Sequence, residues 1–367
     1  MTTDLATYEM LDTLLTVDLP ARGVIDIAYP LFREHYGRPL FGIAAELLMD
    51  AVAPGDTVVI ATGFPNRTRI DPTIAESDGP VGAASMARAF EIGLGAAPVI
   101  LVEDSIVAGA VAAVQALGMK SVTPEQAVAS ARSASNLHAV AVLASPLDAG
   151  EARHLAERLS ATNRVAAFVA IEKGGANAAG EIHYSRGTRG TPWVAPLDPV
   201  MEVFETHGAI SIGIGDGGNE IGMGNADGAL REVLPYGADC GCPCRLGIVP
   251  ARQTDLVLPV TVSNWGGYGV SAALSFALDD PRLLHHADSE ARMLRAAGLA
   301  GLIDGVSGFT EPTSDGLSEA VHTSIVDLLH AIVGRGVHRG AWPRGQSASA
   351  QASDKAEIRT RPEKPPI

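Results

Sequence analysis

The run Ala209-Ile-Ser-Ile-Gly-Ile-Gly-Asp-Gly-Gly-Asn-Glu-Ile-Gly-Met-Gly224 decides how the whole chain is read. Residues 209–212 are a short apolar segment with strand character, and residues 213–224 hold six glycines around Asp216, Asn219 and Glu220. Glycines at that density let the backbone adopt turns and approach ligands where a Cβ would block it. Gly213, Gly215 and Gly218 satisfy G-x-G-x-x-G after a strand, the spacing of a dinucleotide-binding turn. Asp216 would then occupy the turn meant for a pyrophosphate, and Asn219, Glu220, Gly222 and Gly224 open a poor long helix, so no nucleotide cofactor is expected. A loop presenting Asp216, Asn219 and Glu220 suits a hard divalent cation, Mg²⁺ or Mn²⁺ rather than zinc, or a substrate amine. The plainer alternative is a tight turn whose Asp and Asn cap a helix.

Working outward, three helices are expected over 3–13, 23–36 and 42–51, and then strands and helices alternate. Strands are expected over 57–62, 98–103, 139–143, 165–171, 209–212 and 256–262, and helices over 81–94, 107–117, 150–160 and 198–207. Continuous apolar strands in such alternation imply an α/β fold, a mainly parallel or mixed sheet with helices on both faces. Ligands of such sheets bind beyond the carboxyl ends of the strands, where the acidic and glycine-rich loops of this chain fall. The expected organisation is N-terminal helices over 1–36 packed on the core, an α/β domain over 37–334, and a disordered Gly/Pro/Ser/Lys/Arg tail over 335–367.

A chain of 367 residues, 47% hydrophobic and 19% charged, buries a large core. It has no apolar run of membrane-spanning length, and residues 1–18 lack the basic and apolar regions of a secretion signal, so a cytoplasmic location is expected. The net charge of −15 with no basic block argues against nucleic acid and anionic membranes, leaving a small amino acid or anionic metabolite as partner. A homo-oligomer is the default expectation. All three cysteines sit in Cys240-Gly-Cys242-Pro-Cys244; without a fourth ligand nearby this run lacks structural-zinc spacing and reads as a loop of reduced thiols. The ten histidines form no metal-site array.

Four further segments carry chemistry. Glu76-Ser-Asp78-Gly79-Pro80 opens a helix, with Ser77 or Asp78 as its cap; the N–H groups from Gly79 onward can dock a substrate carboxylate, and Arg67 and Arg69 can clamp it. Glu172, in Glu172-Lys-Gly-Gly175, ends an apolar strand, where burial raises a carboxylate's pKa and makes it a general base or a ligand. Glu103-Asp104 holds a similar place and reads as a solubilising strand end. Ser263-Asn-Trp-Gly-Gly-Tyr-Gly269 precedes an alanine-rich helix, with Asn264 and Gly266 set against a ligand and Trp265 a core plug. Asp304-Gly305 and Asp315-Gly316 read as turns.

TGFP at Thr62, SDGPVGA at Ser77, IEKGGAN at Ile171, GIGDGGNEIGMG at Gly213 and SNWGGYG at Ser263 together resemble the D-glutamate cyclase C-terminal domain family, over residues 37–329. The resemblance implies conversion of D-glutamate to 5-oxo-D-proline with loss of water, a lyase reaction. On that reading Asp216 and Glu220 hold a divalent cation, and Glu172 is the base or a further ligand with Asp78 as the alternative. Arg67, Gly79, Asn219, Asn264 and Gly266 orient the substrate. In the family's eukaryotic enzymes this domain follows a separate N-terminal domain, for which this sequence has no room, so a different substrate or a partner chain is a further expectation. A Mg²⁺- or Mn²⁺-dependent phosphatase and a non-catalytic amino-acid-binding module are the competing readings.

Overall fold

Apolar residues on both sides of each central strand dictate a sheet covered on two faces, and the computed structural model, which describes residues 3–133 and 137–337, has that form. Seven strands, β1 (Thr57–Thr62), β2 (Ala97–Val102), β3 (Lys120–Val122), β4 (Ala139–Ala144), β5 (Val165–Ile171), β6 (Ile210–Gly215) and β7 (Leu256–Pro259), form one sheet. Their order is β3-β4-β2-β1-β5-β6-β7 and every pairing is parallel. The helices are α1 (Thr3–Leu15), α2 (Val24–Tyr36), α3 (Leu40–Ala51), α4 (Pro80–Leu94), α5 (Val107–Ala116), α6 (Pro124–Ala131), α7 (Ala149–Thr162), α8 (Asp198–Thr206), α9 (Asp227–Val233), α10 (Ser263–Ala277), α11 (Ala287–Leu299) and α12 (Glu319–Val337). A small antiparallel hairpin, β8 (Thr313–Ser314) with β9 (Leu317–Ser318), precedes α12.

The period of two along each strand sorts the core into two layers. Val58, Ile60, Ile100, Val169 and Ile212 share one apolar cluster with residues of α3, α4, α5 and α10. Val59, Ala61, Val99, Phe168 and Ala170 share the other with residues of α7 and α8. α1 packs against α3, α10 and α12, burying Leu11 and Leu15 completely. Among the described residues no helix is long and apolar enough to cross a membrane. The tail expected from 335 begins instead as the end of α12, and from residue 338 it lies outside the described residues.

Several boundaries differ from expectation. β6 runs on through Gly213 to Gly215, because Ile214 is apolar and glycine does not forbid extension. The Ser263–Gly269 motif lies within α10, whose first residue is Ser263. β3 and α6 were not anticipated, since Lys120-Ser-Val is short and partly exposed at the sheet edge.

From β1 the chain adds strands on one side (β2, then β3 and β4) and returns to add β5, β6 and β7 on the other. The order therefore reverses between β1 and β5, and in such sheets the crevice beyond the carboxyl ends at that reversal is where ligands bind.

Candidate active site

Three acidic side chains converge beside that reversal. Glu172 directly follows β5, Asp216 follows β6, and Asp78 precedes α4 in the connection leaving β1. One carboxylate oxygen from each lies within 4.8 Å of the others. The three are almost wholly buried, with exposures of 5% for Asp78, 9% for Glu172 and 8% for Asp216. Glu172 adopts a left-handed backbone, φ 44°, which turns its side chain off the end of the strand, and its Oε2 accepts a hydrogen bond from Ser263 Oγ at 2.6 Å.

Burial pushes the Asp78 and Glu172 carboxyls well above their ordinary range, and the charge of Asp216 pushes in the same direction. For Asp78 the Asn264 N–H and Arg22 work the other way. Glu76, bonded by Asn66 Nδ2 at 2.8 Å, is raised to about 7, by burial first, with Asp216 adding to it. Asp216 Oδ2 is buried, and its one close donor is the Arg22 guanidinium, an ion pair at 3.2 Å without good hydrogen-bond geometry. Several buried carboxylates around a single guanidinium are costly unless protons or a further cation join them, and an all-oxygen donor set fits Mg²⁺ or Mn²⁺.

The carboxylates that come together therefore differ from those expected: Asp216 and Glu172 meet Asp78, not Glu220. Glu220 points into its own loop: Oε1 accepts from the N–H groups of Asp216 (3.1 Å) and Gly217 (2.7 Å), and Oε2 from that of Gly218 (2.8 Å). It shapes the turn that aims Asp216, while Asp78 takes the place expected of Glu220. Asn219 is a strut, its Nδ2 donating to the carbonyl of His183 at 2.8 Å.

Asp78 and Asn264 cap each other's helices. The Asp78 carboxylate accepts from Ser263 N (3.1 Å) and Asn264 N (2.8 Å) at the start of α10. In return Asn264 Oδ1 accepts from Gly79 N (2.9 Å) and Gly82 N (2.7 Å) at the start of α4, while its Nδ2 bonds Ser77 O and Ser314 Oγ. Asn264 thus has no free polar atom for a substrate, and the N–H groups of Gly79 and Gly82 already have an acceptor. Asp78 caps α10 rather than α4, because the polypeptide at Gly79 turns away from it. Gly266 faces the sheet, where a Cβ would lie 2.3 Å from Ile214 Cγ2, and touches no crevice. Arg67 donates to Asn66 Oδ1 and to Gly305 O, beside Glu76.

Other groups at the centre carried little or no local signal. Arg22, between α1 and α2, reaches Asp216 Oδ2 at 3.2 Å and Asp315 Oδ2 at 2.8 Å. Asp315, read as a turn residue, joins the acidic centre from the β8–β9 turn, whereas Asp304 does organise a turn, accepting from Val306, Ser307 and Gly316 N–H groups. Glu103 is no solubilising strand end: it is 3% exposed and pairs with the wholly buried Lys173, which also donates to Gly63 O at 2.9 Å. A cleft of about 700 Å³ opens at the ends of β2 and β4, lined by Glu103, Ser145 and Trp193 rather than by the three carboxylates.

The chain matches the sequence model of the D-glutamate cyclase-like, C-terminal family over residues 11–330. It is 29% identical over 219 residues to a Homo sapiens protein named D-glutamate cyclase, mitochondrial, a match covering 59% of this chain and 32% of that protein. The matched part is thus about a third of that relative's length. Because the family match runs through every strand of the parallel sheet and every carboxylate of the centre, the chain belongs to the D-glutamate cyclase-like, C-terminal family.

Proposed function

We propose that the chain is a lyase that closes D-glutamate to 5-oxo-D-proline and water, assisted by a divalent cation held by Asp78, Glu172 and Asp216. The observation that carries this reading is the convergence of those three buried carboxylates, one oxygen of each within 4.8 Å of the others, at the β1–β5 reversal. Family membership and the name of the human relative supply the substrate.

In the reaction the α-nitrogen attacks the γ-carboxyl carbon; a C–N bond forms, a C–O bond breaks, and two protons pass from nitrogen to the departing oxygen. A bound Mg²⁺ or Mn²⁺ supplies Lewis acidity toward the γ-carboxyl group. Glu172, its carboxyl raised by burial first and by the Asp216 charge, and held at Oε2 by Ser263, would take a proton from the substrate ammonium where the cation does not engage it. The acidic surround favours that ammonium, while Arg22 and Arg67 offer the nearby positive charge that the substrate's carboxylates require. Confinement of the folded substrate contributes up to roughly 7–11 kcal/mol in favourable cases. The partner is accordingly a small amino acid, and the reduced thiols fit a cytoplasmic setting.

A chiral product assay with D- and L-glutamate, metal-free and with Mn²⁺ or Mg²⁺, tests this. 5-Oxo-D-proline from D-glutamate, reduced at least a hundredfold in Asp216→Asn, is the expected result. Folded protein that yields no product under any condition, and instead hydrolyses phosphate esters with Mg²⁺ or Mn²⁺, would refute it.

A further inference from the structure

Away from the acidic centre, a second group of ligand atoms has no part in the chemistry above. Cys240, Cys242 and Cys244 lie between α9 and β7, and His183 lies in the connection from β5 to α8. The three sulfurs are 3.3, 3.4 and 3.1 Å apart, and His183 Nε2 is 3.1 Å from Cys242 Sγ and 3.7 Å from Cys244 Sγ. All four donor atoms fall within 4.8 Å of one another. The fourth ligand that the sequence lacks locally is thus supplied by a histidine 57 positions before Cys240.

The surroundings are those of a metal site rather than of packed thiols. His183 is wholly buried, and its Nδ1 lies 3.1 Å from the carbonyl of Glu181. A proton on Nδ1 donates there and leaves the Nε2 lone pair facing the sulfurs, the arrangement by which metal-bound imidazoles are oriented. N–H donors also approach the sulfurs, from Cys244 N to Cys242 Sγ at 3.4 Å and from Asn177 Nδ2 to Cys244 Sγ at 3.5 Å. No sulfur pair is at bonded distance, about 2.05 Å for a disulfide. Four donors this close admit one ion rather than a cluster, and three thiolates with one imidazole in a closed set suit tetrahedral zinc.

We propose that Cys240, Cys242, Cys244 and His183 bind one zinc ion in a structural Cys₃His site. With Zn–S about 2.3 Å the S–S edges are about 3.8 Å, so the sulfurs, now 3.1–3.4 Å apart, open by roughly 0.4–0.7 Å on binding. The thiols release their protons to solvent as they bind. The ion ties the loop after β5 to the loop after α9, which already meet through Gly241 N to Gly187 O (3.1 Å) and Asn177 Nδ2 to Gly247 O (2.8 Å). Through His183 O and Asn219 this staple braces the turn that carries Asp216. The two centres sort their metals by donor softness, zinc on sulfur and nitrogen, and Mg²⁺ or Mn²⁺ on oxygen.

Elemental analysis of the full chain, purified under reducing conditions, should find about one zinc per chain. Cobalt exchanged for it should give thiolate-to-cobalt charge-transfer absorption and the intense visible bands of tetrahedral cobalt. Cys242→Ser and Cys244→Ser should lose zinc at least tenfold, His183→Cys should keep it, and Asp216→Asn should leave it unchanged. Since the serine variants can fail to fold, the wild type carries its own check: its thiols should react with a disulfide reagent only after a mercurial has released the zinc. Folded wild type with under a tenth of an equivalent of zinc, no cobalt spectrum and freely reactive thiols would overturn the proposal. So would a Cys–Cys disulfide, or iron or copper in zinc's place.

Discussion

Arg22 is the residue on which the acidic centre turns. Its guanidinium is already the counter-ion of Asp216 and Asp315, so the divalent cation of the proposed function would have to bind beside it or displace it. Replacing it by Met leaves buried carboxylates without their cation, a change that costs about 3 kcal/mol in the metal-free protein. The same replacement removes a competitor, so Arg22→Met should bind Mn²⁺ more tightly than the wild type. Calorimetric titration with Mn²⁺ measures this directly; weaker binding would mean that Arg22 supports the ion rather than stands in for it. At this scale the sequence was legible only in part. Asp78, Glu172 and Asp216 could be named because each adjoins a strand end or a glycine-rich turn. Nothing local tells that Glu220 folds back on three N–H groups, that Asn264 is saturated by two helices, or that Arg22 and His183 arrive from distant connections.

The element that most constrains the site is the pair α4 and α10, joined at their N-termini by Asp78 and Asn264. Below those caps the helices cross with backbone against backbone: a Cβ at Gly82 would lie 2.8 Å from Asn264 Cα, and one at Gly267 2.5 Å from Gly82 O. Neither neighbour is a flexible side chain, so Gly82→Ala should destabilise by about 1–3 kcal/mol. Asn264→Ala, which strips the acceptor from two buried N–H groups, should cost about 2–4 kcal/mol. Denaturant unfolding of both variants checks these values, and a loss under 0.5 kcal/mol in Asn264→Ala would rule out the reciprocal cap. The strands were legible because their apolar runs are continuous and bounded by turns. The start of α10 was not, because Gly266, Gly267 and Gly269 are poor helix formers that tertiary contact selects here for closeness.

Across the whole molecule the centre makes stability depend on protons and, on the proposed function, on a cation as well. Glu76 and Glu220 stand raised to about 7 from an ordinary value of 4.5, and Asp78, Glu172 and Asp315 are also raised, burial being the largest cause in each. At Glu76 and Glu220 the folded state therefore holds more protons than the unfolded state between pH 4.5 and about 7. The contribution of Glu76 and Glu220 is fully present below pH 4.5 and is lost as pH rises through about 7, and the raised carboxyls of Asp78, Glu172 and Asp315 act in the same direction. A divalent cation competes with the same protons, so the rise in Tm on adding Mn²⁺ should grow from pH 5 to pH 8. It should approach about 2.7 kcal/mol of stabilisation at a hundredfold excess over Kd. Thermal melts at four pH values with and without Mn²⁺ test this, and an increment that is flat or largest at pH 5 would place the cation elsewhere.

Gly213 sets a limit on redesign. A Cβ there would lie 2.1 Å from the carbonyl oxygen of Ile221, because the loop that carries Asp216 and Glu220 folds back onto the very strand it left. The floor of the crevice is thus main chain against main chain, and a mutant library aimed at it would return mostly misfolded protein. On the proposed function, variation that retargets this scaffold has to come from positions such as Arg67 and Asp315, whose contacts are made by side chains rather than main chain.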